Sequence, residues 1–280
     1  MARNNSRKFR RRRRVVGIFA FALGTAALTA LAIAVAPARP DGTTAARIRI
    51  APAPTSAPTS TTGQTTTLPA TTTTKGPAKP TPVPIDMSTP SAPVFSRIPT
   101  TDPVVFLTID DGIVQDPAVL DYIKAQNIPV TMFPVPAYVE QNEPYFQAIH
   151  ATGATVQDHT VHHTDLTKLS PADQKTEICG PLDEYQQKFG VRPWIFRPPY
   201  GSMNNNVAYA ARSCGIRAIV LWKAATNDGR VDTQGGPLQP GDIVLMHFRT
   251  DLRQNLENVL NAAAAQGLHP AYLSDYLTPG

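Results

Sequence analysis

Carboxylate and imidazole side chains occur close together at two places in the second half of this 280-residue chain. Asp110 and Asp111 are adjacent, and His159 and His163 are four residues apart. Two imidazoles at that spacing lie on one face of a helical turn and can chelate a transition metal, with a carboxylate as the third ligand. Three such ligands leave coordination positions open for water and substrate, which is typical of a catalytic metal site rather than a closed structural one.

Both motifs also have simpler interpretations. Asp111 precedes Gly112, and Asp-Gly is a common turn dipeptide, so the aspartates could belong to a solvated turn. A lone histidine is more often a packed or solvent-facing residue than a ligand. His162 breaks the spacing and is interpreted as a neighbour of the ligands, although it could replace one of them. The paired spacing of His159 and His163 favours the metal site.

The elements that must position these residues are predicted from short apolar runs that alternate with longer amphipathic stretches. Strands are predicted at residues 104–109, 130–133, 154–156, 194–196, 218–221, 243–246 and 271–273. Helices are predicted near residues 117–126, 141–152, 171–189, 205–214 and 252–266. Ser170 before Pro171 suits the start of the third helix, and Gly190 and Gly267 suit helix ends.

This alternation predicts an α/β fold in which helices cover a parallel sheet. Residues 101–280 are too few for an eight-stranded barrel of about 250 residues, so about seven parallel strands are expected. The polar residues follow four strand ends: Asp110 and Asp111, His159 and His163, residues 197–200, and His247. Because such ends converge, one site is expected there. Adjacent strand residues point to opposite faces, so one aspartate can bind metal while the other holds a water for proton transfer.

The first hundred residues and the remainder of the chain differ in charge. Residues 1–100 contain 14 Lys and Arg against 2 Asp and Glu, whereas residues 101–280 contain 12 against 19. The basic character of the chain therefore belongs to its N-terminal part. A nucleic-acid-binding domain needs a basic face for the phosphate backbone, so nucleic acid is excluded as a partner of the C-terminal domain.

The chain begins with a predicted targeting segment. Residues 1–14 form a basic tail, and residues 15–36 are uncharged and apolar. About 20 apolar residues span a bilayer, which favours a single-pass signal-anchor in the cell membrane, with the tail cytoplasmic and the rest of the chain extracellular. Cleaved signal peptides usually have a shorter apolar core, but Ala36-Pro37-Ala38 resembles a cleavage site, so secretion is the alternative. The flanking arginines disfavour a buried core helix.

A linker is predicted between this segment and the folded domain. Residues 37–100 are rich in Thr, Pro, Ser and Ala and poor in large apolar residues, so they cannot bury enough surface to offset the entropy of ordering. The folded domain is predicted to span residues 101–280. Its two cysteines, Cys179 and Cys214, favour a disulfide in an exported protein, with two buried free thiols as the alternative.

Four motifs occur in order along this domain. They are Thr108-Ile109-Asp110-Asp111-Gly112, His159-Thr160-x-x-His163, Arg197-Pro198-Pro199-Tyr200-Gly201 and Leu245-Met246-His247. In this order and at these spacings they resemble the polysaccharide deacetylase (NodB-homology) family, carbohydrate esterase family 4, over about residues 102–275. The resemblance implies a distorted (β/α) barrel and a hydrolase that removes acetyl groups from a polysaccharide.

The resemblance also implies a role for each matched residue. Asp111, His159 and His163 would hold a divalent metal, usually zinc in this family. Asp110 would be the general base that activates the attacking water. The backbone N–H of Tyr200 would help to stabilise the oxyanion that follows the attack.

The remaining matched residues would complete the reaction. His247 would be the general acid that protonates the leaving amine. Arg197 would pair with Asp110 and hold its carboxylate in place. Leu245 would line the pocket for the acetyl methyl group, and Thr160 would brace the histidine loop by hydrogen bonding.

Residues 225–229 depart from the family pattern. Ala225 stands where the family usually has an aspartate, and Gly229 stands where it usually has a tryptophan. That aspartate normally supports the acid histidine, so the support of His247 is expected to be weakened. Asp228 is a candidate to compensate.

The expected activity is therefore metal-dependent N-deacetylation of an N-acetylhexosamine polymer. The predicted anchor and linker favour peptidoglycan as the polymer. An O-acetyl esterase acting on a glycan such as acetylxylan uses the same chemistry and stays open. The incomplete motif at residues 225–229 also allows a glycan-binding homologue with weakened catalysis. The oligomeric state is not indicated by the sequence.

Overall fold

The computed structural model describes residues 80–279. Its strands are β1 (Val83–Ile85), β2 (Val94–Phe95), β3 (Val104–Asp111), β4 (Val130–Pro134), β5 (Thr155–Val156), β6 (Ile195–Phe196), β7 (Ala218–Val220), β8 (Ala224–Asn227), β9 (Arg230–Thr233), β10 (Ile243–His247), β11 (His269–Pro270) and β12 (Leu277–Pro279). Its α-helices are α1 (Pro117–Gln126), α2 (Pro136–Gln141), α3 (Glu143–His150), α4 (Pro171–Phe189), α5 (Asn205–Ser213), α6 (Leu252–Ala264) and α7 (Leu273–Tyr276). One-turn 3-10 helices cover Leu166–Lys168 and Pro199–Gly201.

The predicted basic tail, the predicted membrane segment and the linker up to residue 79 lie outside the described residues. Within residues 80–279, no helix combines the length and the apolar character needed to cross a bilayer. The signal-anchor and its alternative, a cleaved signal peptide, therefore stay predictions.

The central sheet has the strand order β5-β4-β3-β10-β8-β9, and β11 pairs with the start of β3. Every residue of β3 is buried, as its uninterrupted apolar run predicts for a strand covered on both faces. The predicted α/β fold with parallel strands is confirmed. The prediction that all strands are parallel is wrong, because the chain reverses after β8 and β9 pairs with it antiparallel.

A smaller parallel sheet has the order β2-β7-β6. A bridge between Asp158 and Phe196 joins the end of β5 to β6. Just after β7, the backbone N–H of Lys223 donates to the carbonyl of Ile243 in β10 over 3.0 Å. The smaller sheet is therefore linked to the central sheet on two sides. Because β3, β5, β6 and β10 run parallel, their carboxyl ends lie at one end of the interior.

The folded domain begins before the predicted boundary at residue 101. β1 pairs in parallel with β12, and β2 pairs with β7. Ile85, Ala92 and Ile98 are buried. Their Pro-rich surroundings suggested a linker, but proline is tolerated in short edge strands, and a few apolar side chains suffice to attach the segment. Residues 83–98 thus belong to the domain.

Two of the predicted helices differ from the predictions only at their ends, and two, α1 and α4, have the predicted bounds. Ser170 caps α4 by accepting a hydrogen bond from the N–H of Asp173, and Gly190 ends α4 in the left-handed conformation. The predicted helix at residues 141–152 is instead α2 and α3. They are separate because Pro136 and Pro144 each occupy the first turn of a helix.

Two further features bear on the predictions for this domain. Cys179 in α4 and Cys214 directly after α5 form a disulfide, so the alternative of free thiols is wrong. The predicted strand at residues 271–273 is misplaced, since β11 lies earlier and Leu273 opens α7. An apolar run of three residues is too short for its periodicity to distinguish a strand from a helical turn.

Candidate active site

The carboxylates of the site stand where β3 ends. Asp110 and Asp111 are both buried. Asp111 has φ of 75° and Gly112 has φ of 116°. A Cβ atom at Gly112 would lie 2.9 Å from both Phe146 and Tyr138, so glycine is required for the chain to leave the strand here. Because the chain turns sharply here, the two adjacent carboxylates both point towards Nε2 of His159.

The histidines approach these carboxylates from the segment that follows β5. The Nδ1–H of His159 donates to the carbonyl oxygen of Arg197 over 2.7 Å, which turns Nε2 towards the carboxylates. That Nε2 lies 3.7 Å from Oδ2 of Asp110 and 3.6 Å from Oδ1 of Asp111. Nε2 of His163 lies 3.2 Å from Oδ1 of Asp111.

These three residues fit a metal site. Potential ligand atoms of Asp111, His159 and His163 all lie within 4.8 Å of one another. Ligands placed tetrahedrally at about 2.0–2.1 Å from one ion are separated by about 3.4 Å, close to the observed separations. Oδ1 of Asp111 is buried and has no hydrogen-bond partner among the described residues. A cation bound by all three side chains would satisfy it.

The electrostatics of the cluster agree with this arrangement. Burial by itself would raise the pKa of Asp111, but the neighbouring imidazoles of His159 and His163 outweigh it and hold that pKa far below its ordinary value. The Asp111 carboxylate beside the ring in turn raises the pKa of His163. Asp111 is therefore ionised over the whole physiological range, as a metal ligand must be.

The loop that carries the two histidines is held in part by hydrogen bonds within its own segment. Oγ1 of Thr160 accepts a hydrogen bond from the N–H of His163 over 3.1 Å, and Oδ1 of Asp158 accepts one from the N–H of Thr160 over 3.0 Å. Burial, with a contribution from the charge of Glu177, raises the pKa of Asp158 well above its ordinary value. The predicted bracing role of Thr160 thus has a hydrogen bond that could supply it.

Glu177 of α4 holds the middle of the same loop. Its Oε2 accepts from the N–H of His162 over 2.9 Å, and its Oε1 lies 2.7 Å from Nδ1 of His162. Its carbonyl oxygen accepts from the N–H of Val161 over 3.1 Å. The imidazole of His162 is 73% exposed and is paired with Glu177, so it is not a member of the ligand cluster. Sequence reasoning missed Glu177, because no spacing connects it with the loop.

Arg197 connects the two sheets beneath the carboxylates. Its side chain is fully buried, and Nη1 donates to Oδ1 of Asp110 and to Oγ1 of Thr108, each over 2.7 Å. Its Nε donates to the carbonyl of Val220 in β7 over 3.3 Å. The guanidinium also lies 4.5 Å above the ring of Phe133. Asp110 is therefore held rigidly, with Oδ2 left to face the pocket.

A pocket of about 330 Å³ opens above these residues, and we call it the catalytic pocket. Its remaining walls are Pro198, Tyr200, Trp222, Leu245, His247 and Arg249. Leu245 and His247 lie two residues apart on β10 and face the same side, and His247 pairs with Asp110 in register. Burial lowers the pKa of His247, while Asp110 and Asp111 act in the opposite direction. Sequence reasoning missed Trp222 and Arg249.

Backbone strain is concentrated at this pocket. Three of its lining residues have positive φ, namely Asp111 (75°), His163 (54°) and Tyr200 (60°), and so does Thr160 (68°) in the histidine loop. Such conformations cost about 1–3 kcal/mol each in non-glycine residues and persist where the surroundings impose them, typically at functional sites. Among the other described non-glycine residues, only Asn127 and Asp228 have positive φ, at a helix end and in a hairpin turn.

Asp228 does not compensate for the missing family aspartate. Asp228 and Gly229 form the two-residue turn of the β8–β9 hairpin, with φ of 48° and 74°, as a type I′ turn requires. Asp228 is exposed, and the carboxylates that act on the pKa of His247 are Asp110 and Asp111. The Asp-Gly dipeptide therefore forms the hairpin turn. It does not replace the carboxylate that the family usually has at the position of Ala225.

Comparisons of the sequence identify relatives. A family model for polysaccharide deacetylases matches residues 97–219. An uncharacterized protein of Streptomyces coelicolor is 38% identical over 66% of this chain and 77% of its own length. A chitooligosaccharide deacetylase of Sinorhizobium fredii is 28% identical over 54% of this chain and 74% of its own length. The peptidoglycan-N-acetylglucosamine deacetylase PgdA of Listeria monocytogenes is 29% identical over 64% of this chain, but over only 40% of PgdA.

Solved structures share the fold of this domain. A family 4 carbohydrate esterase from Streptomyces lividans, in complex with acetate, has a TM-score of 0.54 at 24% identity and covers 63% of this chain and 98% of its own. A family 4 pseudoenzyme from Bacillus anthracis has a TM-score of 0.58 at 19% identity and covers 67% of this chain and 71% of its own. Sequence relatives, motifs and fold agree that this chain belongs to the polysaccharide deacetylase (NodB-homology) family, carbohydrate esterase family 4.

Proposed function

We propose that this protein is a metal-dependent hydrolase that removes N-acetyl groups from an N-acetylhexosamine polymer, with peptidoglycan as the substrate. The observation that carries the proposal is the cluster of Asp111, His159 and His163, at metal-ligand spacing, beside Asp110 and His247 in one open pocket. A carboxylate and an imidazole flanking a metal site can supply both proton transfers of amide hydrolysis.

Asp111, His159 and His163 would hold the metal, and their mixed oxygen and nitrogen ligands suit zinc. Bound there, a divalent cation would supply Lewis-acid chemistry, namely polarisation of the acetyl carbonyl and a lower pKa for the attacking water. The protein orients one of these ligands, His159, by a hydrogen bond to its other ring nitrogen. The bond from His159 to the Arg197 carbonyl fixes the tautomer that leaves Nε2 free, as second partners of metal-bound histidines generally do.

Asp110 and His247 would move the protons. Asp110 turns Oδ2 to the pocket while Arg197 occupies Oδ1, so one oxygen is free to accept a proton from the attacking water. His247 lies beside Asp110 in register on the neighbouring strand and would return a proton to the leaving nitrogen. Arg197 keeps the base in one position throughout, which preserves its geometry for the reaction.

Tyr200 and Leu245 would bind the acetyl group. Tyr200 lies within the one-turn 3-10 helix, in a first turn whose backbone N–H groups have no acceptor in the helix, so its N–H can donate to the developing oxyanion. Leu245 is 6% exposed and lines the pocket on the same strand as His247. It offers an apolar surface for the methyl group.

The choice of an N-acetyl polymer draws on the relatives. Two of them are named for deacetylation of chitooligosaccharide and of peptidoglycan N-acetylglucosamine. The predicted membrane anchor and extended linker would place the domain outside the cell, within reach of a cell wall. The disulfide between Cys179 and Cys214 supports export, because disulfides persist in oxidising compartments. We include this extracellular, membrane-anchored location in the proposal.

Acetate release from a panel of polymers tests the function. The purified protein with added zinc is incubated with peptidoglycan, N-acetylglucosamine oligomers and acetylxylan, and acetate is measured. We expect release from the first two and little from acetylxylan. Release from acetylxylan alone would instead establish an O-acetyl esterase. No release from any polymer, with zinc bound, would identify a glycan-binding homologue without activity.

A further inference from the structure

We propose that one face of helix α4 positions the histidine loop through Val161, which lies between the two histidines of the metal site. The face consists of Glu177, Gly180 and Pro181, which we call the α4 brace. Gly180 and Pro181 follow Glu177 by three and four residues, so all three lie on one side of the helix. The inference rests on the part of the proposed function that assigns the two histidines to a metal.

The backbone of the histidine loop needs a restraint from outside. Thr160 has φ of 68° and His163 has φ of 54°, conformations that non-glycine residues rarely adopt. Such conformations persist only where the surrounding contacts impose them. Val161 lies between these two residues, and its N–H donates to the carbonyl oxygen of Glu177 over 3.1 Å. Val161 therefore attaches the backbone of the loop directly to the backbone of α4.

Pro181 makes the Glu177 carbonyl available for this hydrogen bond. In a regular helix that carbonyl would accept from the N–H of the residue four positions later, which is position 181. Proline has no N–H, and its ring presses against the carbonyl four residues before it, so the helical bond is absent. Proline is the least favourable residue in a helix interior, and Pro181 lies in the middle of the 19-residue α4. The N–H of Val161 takes the place of the missing donor.

Gly180 makes room for the side chain of Val161. A Cβ atom at position 180 would overlap Cγ2 of Val161, whereas Cβ of Val161 would lie at an ordinary contact distance of 3.8 Å. The backbone of Gly180 is helical, so no left-handed conformation requires glycine at this position. Glycine also weakens a helix interior relative to alanine. The close approach of the loop is therefore the reason that the structure gives for glycine here.

Two adjacent residues that weaken a helix thus both serve contacts with Val161. Residues that oppose the element in which they lie are expected at functional sites, where another gain compensates for them. The α4 brace is itself held in place, because Cys179 in the same turn is bonded to Cys214 directly after α5. With Val161 fixed to the brace, the two histidines on either side of it keep the spacing that a shared metal ion requires.

Pro181→Ala in the full chain separates this positioning role from ordinary packing. The new N–H at position 181 competes with Val161 for the Glu177 carbonyl, so zinc affinity should fall about 10- to 100-fold, as loss of a supporting partner predicts. The metal-free variant should unfold at the same urea concentration or a higher one, because the gain in helix propensity exceeds the packing lost with two methylene groups. Zinc affinity and stability are thus expected to change independently.

Two measurements and one control complete this test. Competition with a chelator gives the zinc affinity, and the absorption spectrum of the cobalt-substituted protein shows whether the geometry of the ligands has changed. Unfolding is measured without metal, because metal binding itself stabilises the folded state. Gln187→Ala is the control, since Gln187 is exposed on the same helix and its replacement raises helix propensity away from the loop.

A second pair of variants tests the contact between Gly180 and Val161. Gly180→Ala places a methyl group against Val161, so it should lower zinc affinity and alter the cobalt spectrum. Adding Val161→Ala removes the obstructing methyl groups, and the double variant should recover most of the lost affinity. Such a recovery would not follow from general damage to α4.

Unchanged zinc affinity in Pro181→Ala overturns the inference, and so does a loss of affinity that is accompanied by easier unfolding of the metal-free protein. A Gly180→Ala variant that keeps the wild-type affinity, or whose defect persists in the double variant, also overturns it. The metal site itself survives these outcomes as long as the wild type binds zinc. A wild-type protein that binds no zinc would overturn the metal site of the proposed function and this inference with it.

Discussion

Arg197 and Asp110 form a buried ion pair, in which Nη1 of the arginine lies 2.7 Å from Oδ1 of the aspartate. The side chain of Arg197 has no exposure to solvent, and that of Asp110 has 4%. A charge so placed is tolerated only together with its partner, because desolvation of an unpaired ion is costly. The pair therefore has a structural role in addition to the catalytic role proposed for Asp110.

Replacement of Arg197 by Met should destabilise the domain. The variant leaves Asp110 as a buried carboxylate without its counter-charge, and such losses typically cost about 3–5 kcal/mol. Urea unfolding of the purified variant measures the effect. Arg192→Met is the control, since Arg192 pairs with Asp183 at the surface and such pairs contribute about 0–1 kcal/mol. Equal unfolding free energies for the two variants would contradict the prediction.

Replacement of His159 or His163 by Ala should remove the metal. Each variant leaves two ligands of the proposed three, and metal content after dialysis measures the loss. His150→Ala is a control of the same residue type, because His150 contacts the carbonyl of Ala154 at the end of α3 and belongs to no metal-ligand cluster among the described residues. Full metal occupancy in both single variants would contradict the assignment of His159 and His163 as metal ligands.

Glu177→Ala should weaken metal binding although Glu177 touches no ligand atom. The variant removes the carboxylate that holds the backbone N–H and the imidazole of His162, and loss of supporting partners typically lowers metal affinity about 10- to 100-fold. Competition with a chelator gives the affinity, and the absorption spectrum of the cobalt-substituted protein reports ligand geometry. Glu177→Gln should restore much of the affinity, since its amide oxygen can still accept from the loop.

Glu184→Ala is the matched control for this prediction. Glu184 lies on the same helix, two turns further on, and pairs with Lys188 instead of the histidine loop. Its replacement should leave the affinity and the cobalt spectrum unchanged. If Glu177→Ala behaved in the same way as Glu184→Ala, the loop would hold its ligands without help from the Glu177 carboxylate.

Ala225→Asp should move the high-pH limb of the kcat profile to higher pH. His247 must carry a proton to act as the acid, so activity falls as pH rises through the pKa of His247. Burial lowers that pKa in the native protein, and a carboxylate at position 225 would favour the imidazolium and raise it. Ala225 pairs with Leu245, so the new side chain would share the face of β10 that carries His247.

The kcat profile from about pH 5 to pH 9, where histidine titrates, measures this shift. Ala264→Asp, at the exposed end of α6, adds the same charge away from the site and should leave the limb in place. His247→Ala should lose most of the turnover, about 10²- to 10⁴-fold, and flatten the limb. Near-normal turnover in His247→Ala would exclude this residue as the acid.

A fragment that starts at residue 101 should be less stable than one that starts at residue 80. The shorter fragment lacks Ile85 and Ile98, which are 1% and 0% exposed, and burial of such a side chain contributes about 1.5–3 kcal/mol. It also lacks the strand that pairs with β12. Urea unfolding of both fragments measures the difference. Identical free energies of unfolding would instead support the domain boundary at residue 101 that composition alone predicts.

The site was more predictable than the outline of the domain. The long apolar run of β3 and the four-residue spacing of His159 and His163 are local patterns, and the convergence of parallel strand ends brings them together without further information. The same argument applies to residues 197–200 and to His247, and the family resemblance adds an expected role for each. In the structure, Tyr200 and His247 line the catalytic pocket, and Arg197 lies beneath it against Asp110.

What the sequence did not reveal depends on contacts that leave no local pattern. β1 pairs with a strand almost 200 residues later along the chain, and both strands have three residues. Glu177 approaches the histidine loop from a helix whose spacing reflects its own packing. Asp228-Gly229 is an exception, because an Asp-Gly dipeptide between two short strands is a local pattern that predicts a hairpin turn. The prediction instead matched these residues to a family motif.

The pairing of β1 with β12 also determines where the first and last strands of the described domain lie relative to the catalytic pocket. Both strands pack with Val104 at the start of β3, whereas the carboxylates stand at the other end of that strand, six residues and about 20 Å away. Within residues 80–279, β1 and β12 therefore lie at the end of β3 opposite the catalytic pocket, so the pocket is left open by the strand pair that begins and ends the described domain.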